Sequence, residues 1–253
     1  LIAGEKVKNI KLTIEYDGTD FCGWQKQIGL RTVEGVLNDT LTKVLKEEVE
    51  VIGSGRTDSK VHAFGQVANF KSGTPISLDR FPRAVNSYLP PDLAIISAEQ
   101  VPMDFHARYD PKRKTYLYKI QSGSVCRPVY RNYTYHYYRS LDEEKMREAL
   151  GIFVGEHDFK AFMSSGSPIK KTVRTIYKAE ISREKDFFVI EVEGNGFLYN
   201  MVRRIVGVIL DVGSGRLDMD EIPHILKDKD NCRTRRLAPP QGLYLKNVEY
   251  EDY

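Results

Sequence analysis

The stretch Gly53-Ser54-Gly55-Arg56-Thr57-Asp58-Ser59-Lys60-Val61-His62-Ala63 concentrates the chemistry of this 253-residue chain. Two glycines permit a tight loop. The Asp58 carboxylate follows Arg56 by two positions and precedes His62 by four. Such a loop can do nucleophilic or acid–base work. It can equally be a turn in which Asp58 caps backbone N–H groups, the commoner fate of a loop aspartate. It is not a phosphate-cradling loop, which needs G-x-x-x-x-G-K-[ST]. His62 has no Ser or Cys nucleophile placed with it, so a hydrolytic triad has little support. The other histidines, His106, His136, His157 and His224, are dispersed, and Cys22, Cys126 and Cys232 are far apart and odd in number. That pattern argues against a metal site and against a disulfide framework, and it suits a reducing, intracellular setting.

A second concentration lies between residues 101 and 140. Arg108, Lys112, Arg113, Lys114, Lys119, Arg127, Arg131 and Arg139 face only Asp104 and Asp110 there, and eight tyrosines lie among them. Basic groups suit phosphates and aromatic rings suit unstacked bases, so this segment points to RNA. The alternative is a solvated face of a tyrosine-rich sheet.

These groups need elements to position them. Ile10, Leu12, Ile14 and Tyr16 alternate with polar residues and predict a half-buried strand, which Asp17-Gly18-Thr19 ends. Val33, Val36, Leu37, Leu41, Val44 and Leu45 follow helical spacing behind an N-cap at Thr32. Strands are expected around 67–70 and 93–97, the latter after Pro90-Pro91. The second half repeats this order of elements without sequence similarity. A strand is expected over 115–121, then a helix whose capping box starts at Ser140, with Met146, Ala149, Leu150 and Phe153 as its stripe. Strands over 174–182 and 187–193 flank a polar turn. Leu198, Met201, Val202, Ile205, Val206 and Ile209 form an amphipathic helix ended by Gly213-Ser214-Gly215, and a last strand is expected from Leu243.

Hydrophobic residues at 41% and charged residues at 29% are ordinary for a globular chain and exclude a disordered one. The length suits one large or two small domains. No apolar run approaches a membrane span. Leu1 to Lys8 lack the core of a signal peptide, although the chain opens on Leu rather than Met, so a preceding segment stays open. The net charge of +3 is too small to argue for nucleic acid by itself.

Residues 53–70 resemble the signature of the TruA family of tRNA pseudouridine synthases, G-[AS]-G-R-T-D-x-G-V-H-A-x-G-Q-V-A-x-F. Tyr16 to Gln25 is similar to its Y-D-G-T-x-F-x-G-W-Q, and Arg31-Thr32-Val33-Glu34 to its helix start. Phe105-His106-Ala107-Arg108, then Arg113, Tyr116 and Tyr118, resemble its F-H-A-R and R-x-Y-x-Y pair. Residues 155–159, 173–176, 196–207 and 238–243 match in turn, so the resemblance spans nearly the whole chain in order.

The resemblance implies that Asp58 is the nucleophile toward the target uridine, with no cofactor and no metal. The N1–C1′ bond breaks, the base rotates, and C5 bonds to C1′. Addition of the carboxylate to C6, attack at C1′, and assisted formation of a glycal are all open. A neighbouring cation would keep the carboxylate charged. The resemblance gives that part to Arg203, and the helical stripe places Arg203 or Arg204 at the border of the buried face. Arg204 is expected to meet solvent or phosphate. Tyr116 resembles the family's active-site tyrosine, whose ring stacks on the extruded base and whose hydroxyl could help remove the C5 proton; its alternation with Tyr118 and Ile120 would equally make it core. Leu243 resembles the apolar wall under the base, and Arg56 the arginine that assists extrusion or holds phosphate. Lys60 stands where the family usually has Gly. If that position needs a positive φ, lysine is costly there; alternatively its amine reaches a phosphate.

The expected architecture is α+β, with two similarly built halves, residues 1–104 and 105–253, each an antiparallel sheet with helices on one face. A positively charged cleft with Asp58 at its floor is expected between them. The resemblance further implies a cytoplasmic homodimer, away from membranes, that acts on tRNA at positions 38, 39 and/or 40 of the anticodon stem-loop. A non-catalytic RNA-binding relative and a synthase with another RNA target remain as rivals.

Overall fold

A computed structural model describes residues 7–166, 169–229, 234 and 236–251. Cys232 lies outside them. Among the described residues the first strands and helices are β1 (Lys8–Tyr16), α1 (Val33–Leu45), β2 (Ile52–Gly53), β3 (His62–Ser72), α2 (Phe81–Asn86) and β4 (Leu93–Val101). They are followed by β5 (Arg113–Ser122), β6 (Tyr135–Tyr137), α3 (Glu143–Gly151), β7 (Gly155–Asp158), β8 (Val173–Glu184) and β9 (Phe187–Gly194). The last are α4 (Met201–Gly213), α5 (Glu221–Asp228) and β10 (Leu243–Glu249). No helix among the described residues is long and apolar enough to cross a membrane.

The chain forms two compact units, residues 1–112 with 245–253, and residues 113–244. The expected boundary at 104/105 is therefore corrected. Phe105 and Ala107 pack into a cluster with Val67, Val101, Val248 and Tyr250, all in the first unit. Tyr250 O–H donates to Ala107 O at 2.7 Å, and Lys112 N–H donates to Glu249 O at 2.8 Å.

The first unit holds a sheet in the order β4-β1-β3-β10, with β2 paired to β3. β1 runs antiparallel to both β3 and β4. The alternation of β1 buries Ile10, Leu12, Ile14 and Tyr16 and leaves Lys11, Thr13 and Glu15 partly or fully exposed, as expected for a sheet with one covered face. Ile10 stands opposite Phe70 in register, and Phe81 of α2 packs on the Phe70 ring at 6.1 Å. That puts α2 on the apolar face. Thr32 caps α1 by accepting from Gly35 N–H.

The second unit holds β5-β9-β8-β7, with consecutive neighbours antiparallel. β6 adds to β5 in parallel, a departure from the purely antiparallel expectation. The β8–β9 hairpin turns through Lys185, at φ 53°. α3 and α4 pack closely: a Cβ at Gly213 would lie 2.5 Å from Met146 Cγ. The cap of α3 is Asp142, whose carboxylate accepts from Lys145 N–H at 3.1 Å, and not Ser140. Asp142 is one residue from the helix, which is where a cap must be to reach the third N–H.

Candidate active site

In the first unit the 53–61 loop leaves β2 and enters β3. A neighbouring turn, residues 17–24, forms its bed. A Cβ on Gly53 would lie 2.5 Å from the Trp24 ring, so the indole can lie against the loop only because residue 53 is glycine. Gly23, at φ 89°, lets its own backbone approach the loop: a Cβ there would meet Thr57 O at 2.8 Å and Asp58 C at 3.2 Å. Trp24 N–H donates to Thr57 O at 3.0 Å. Ser59 O–H and Lys60 N–H both donate to Phe21 O.

Side chains along the loop differ in exposure. Arg56 is exposed, Thr57 is buried, Asp58 is half-buried, and Ser59 and Lys60 are exposed. Val61 N–H closes a turn on Asp58 O at 3.2 Å. Lys60 is third in that turn and has φ 65°, the left-handed conformation that favours glycine at this place. The positive φ considered from sequence is therefore present. His62 is buried, with its Nδ1 3.0 Å from the Gly18 N and 3.1 Å from Asp17 Oδ1. That nitrogen serves the 17–18 turn.

In the second unit Tyr116 is half-buried on β5, edge-on to Phe197 at 5.1 Å. Tyr118, two residues on, is fully buried and donates its hydroxyl to Pro239 O at 2.7 Å. Burial pushes the Tyr118 phenol well above its ordinary pKa, against the opposing pull of the Arg203 guanidinium. Arg203 on α4 donates from Nε to Ala238 O at 2.7 Å and from Nη1 to Asn200 Oδ1 at 2.9 Å. Asn200 precedes α4 at φ 62°, a conformation asparagine tolerates better than most residues. Leu243 is buried just past Gly242, where a Cβ would lie 2.8 Å from the Tyr118 ring. The second unit thus brings Tyr118, Arg203 and the 238–243 segment together.

Arg204 departs from expectation. It does not face solvent as a phosphate ligand. Its guanidinium donates to Ser164 Oγ from Nε and Nη2 and to Thr234 O at 2.6 Å, and burial beside Arg203 lowers its pKa. Adjacent helix positions point about 100° apart, so one arginine can lock the 164 and 234 segments while the other stands by Tyr118.

The basic, tyrosine-rich segment divides similarly. Tyr118 and Tyr137 are buried. Arg113 pairs with Glu193 at 2.8 Å and covers the Tyr177 ring. Exposed cation–ring pairs remain at Arg108–Tyr109 and Arg139–Tyr138, and the exposed Arg127 covers the half-buried Tyr130 ring. Among the described residues no three His, Cys, Asp or Glu side chains gather as metal ligands.

Sequence reasoning missed Ser164, Thr234, Asn200 and the Ala238 carbonyl. Their roles depend on where loops return, and no local spacing signals that.

Residues 12–110 and 149–251 match the family model described as tRNA pseudouridine synthase. The chain belongs to this family. Its match takes in every residue of the 53–61 loop together with Arg203 and Leu243. Tyr116 falls in the gap between the two matched stretches.

Relatives agree with this family membership. The tRNA pseudouridine synthase A of Caldicellulosiruptor bescii is 47% identical over 96% of this chain and all of its own length. That of Acetivibrio thermocellus is 46% identical with the same coverage, and the tRNA pseudouridine synthase A 2 of Clostridium tetani is 45% identical over 96% of this chain and 99% of its own. Among solved structures, a Cbf5-Nop10-Gar1 complex contains a chain 18% identical, at a TM-score of 0.37 over 79% of this chain. This chain spans 45% of that one's length. The family is one of isomerases, and α+β architecture built on antiparallel sheets is what the two units show.

Proposed function

We propose that this family member isomerises uridine to pseudouridine at positions 38, 39 and/or 40 in the anticodon stem-loop of tRNA. The observation that carries the reading is the Arg56-Thr57-Asp58 loop. Its middle residue is buried and hydrogen-bonded, with a half-buried carboxylate on one side of it and an exposed guanidinium on the other. A carboxylate on a fixed loop suits nucleophilic attack, which loses rate steeply with misplacement.

Asp58 is the nucleophile and Arg203 its basic partner. Tyr116 stacks on the extruded uracil, Leu243 forms the apolar wall, Arg56 assists extrusion or holds phosphate, and Lys60 holds phosphate. The N1–C1′ bond breaks, C5–C1′ forms, C5 loses a proton and N1 gains one. The isomerisation balances without oxidant, reductant or co-substrate. Recognition rests on RNA shape and backbone, so varied flanking sequence is accepted. The enzyme works as a cytoplasmic homodimer.

The test is pseudouridine content in a tRNA with uridines at 38 to 40, after incubation with wild type and with Asp58→Ala, in chelator, with RNA binding measured alongside. Wild type forms pseudouridine there, and Asp58→Ala binds without forming it. A wild type that binds and modifies nothing on this tRNA overturns the assignment of substrate and positions, and a panel of other RNAs then separates a different target from a non-catalytic binder. An active Asp58→Ala overturns the nucleophile.

A further inference from the structure

The 53–61 loop is fastened from beneath by side chains that no step of the proposed reaction uses. Tyr16, the last residue of β1, places its hydroxyl 2.8 Å from Thr57 Oγ1. Gln66 on β3 places Nε2 2.9 Å from Gly55 O and 3.5 Å from the Tyr16 hydroxyl. The Gln66 Oε1 accepts from Ser54 O–H at 2.7 Å and from Val67 N–H at 3.1 Å. All four side chains are buried: Tyr16 is 3% exposed, Ser54 1%, Thr57 6% and Gln66 0%. Burial pushes the Tyr16 phenol well above its ordinary pKa, and its bonds to Thr57 and Gln66 offset this only in part, so it stays a neutral hydroxyl.

A buried amide with both ends used and a phenol held by a tilted contact with Trp24 and an edge-on contact with Phe21 form a rigid bed. The bed grips Ser54, Gly55 and Thr57. Thr57 and Asp58 are adjacent, so fixing the Thr57 side chain and its backbone limits the directions open to the Asp58 side chain. We infer that Tyr16 and Gln66 are positioning residues, and that the Tyr16 hydroxyl, acting through Thr57, sets the direction in which Asp58 presents its carboxylate to the uridine. The inference rests on Asp58 being the nucleophile.

The experiment uses the full chain with Tyr16→Phe, Thr57→Val, Thr57→Ser and the Tyr16→Phe/Thr57→Val double variant. Three quantities are read: the single-turnover rate of pseudouridine formation, tRNA affinity, and amide exchange of residues 55–60. Tyr16→Phe keeps the ring and removes only the hydroxyl. It slows the single turnover about tenfold, leaves tRNA affinity within about twofold, and speeds amide exchange in the loop but not along β1. Thr57→Val has the same effect, and Thr57→Ser, which keeps a hydroxyl, restores most of the rate. The double variant is no slower than the slower single, because both changes cut one link.

A Tyr16→Phe rate within twofold of wild type overturns the inference. So does a double variant whose loss is the product of the two singles, or a rate loss carried entirely by tRNA affinity. An inactive wild type or an active Asp58→Ala is a failure of the proposed function instead. The exchange measurement then decides by itself whether Tyr16 holds the loop, and unchanged exchange overturns that too.

Discussion

Replacing Lys60 by glycine stabilises the protein, and replacing it by alanine does not. Lys60 stands third in the turn that Val61 N–H closes on Asp58 O, at φ 65°. Left-handed backbone costs a residue with a Cβ about 1–2 kcal/mol. Glycine removes that cost but loses about 0.5–1 kcal/mol through its freer unfolded chain. The difference leaves Lys60→Gly about 0.5–1 kcal/mol more stable. In a chain of this size that raises Tm by about 1–4 °C. Lys60→Ala keeps the Cβ and its strain, and the lysine side chain is exposed, so its Tm stays within about 1 °C of wild type. The same pair separates backbone from charge. If the Lys60 amine contacts a tRNA phosphate, both variants lower the slope of log affinity against log salt by about 0.7–0.9. Thermal unfolding by circular dichroism and salt-titrated tRNA binding read the two effects. A glycine variant no more stable than the alanine variant refutes the backbone argument, and unchanged salt slopes refute the phosphate contact.

Other perturbations reach other parts of the molecule. Gly18→Ala puts a Cβ 2.0 Å from Val61 O, a backbone atom with little room to yield, so it costs about 2–3 kcal/mol and shows as a lower Tm with a slower single turnover. Arg204→Lys cannot reproduce the fork that spans Ser164 and Thr234, and chemical denaturation finds it about 2 kcal/mol less stable. Asp158 tests pH dependence. Burial alone would raise its pKa, but Lys229 at 2.8 Å, the Thr172 hydroxyl and the Lys160 N–H together hold it below the ordinary carboxylate value. Its contribution is therefore present above the unfolded value of about 4 and is lost as pH falls through the lower folded value. Asp158→Asn accordingly loses about 1 kcal/mol at pH 7, less whatever solvent screens from a partly exposed pair, and the gap from wild type closes in acid. A gap that persists at pH 2 refutes the ionic account.

Much of this was legible in the residues. The alternation from Ile10 to Tyr16, the Thr32 cap and the stripe from Leu198 to Ile209 each carry their own period, and each forms the element it predicts. α2 was not legible: it is one short turn and a half, with too few positions to show a period. α5 carries a regular stripe in Ile222, Ile225 and Leu226, but the proline within it reads as a break. β6 and β7 are three and four residues long, below the length at which alternation tells. In the site, Asp58 stood out because its neighbours are chemically unusual. The Gln66 amide and the Asn200 carboxamide did not, because the partners that tie Gln66 to the loop lie 11 residues or more away, and Asn200 takes its place through a left-handed φ. Arg203 and Arg204 could not be told apart from spacing, since the Ala238 and Thr234 carbonyls that each takes come from a segment that returns from far along the chain.

The first unit is discontinuous in sequence. It is built from residues up to 112 and again from 245, whereas the second is one unbroken stretch. During synthesis, 113–244 emerges whole before the first unit is complete. The unit bearing Asp58 has to wait, with the β3 edge lacking β10 and with Ala107 and Lys112 lacking their partners, until residues 245–251 arrive. An open strand edge is a template for wrong pairing. The second unit's residues are therefore all made before the first unit's are. A nascent chain halted before residue 245 holds all of 113–244 and an unfinished sheet beneath its nucleophile.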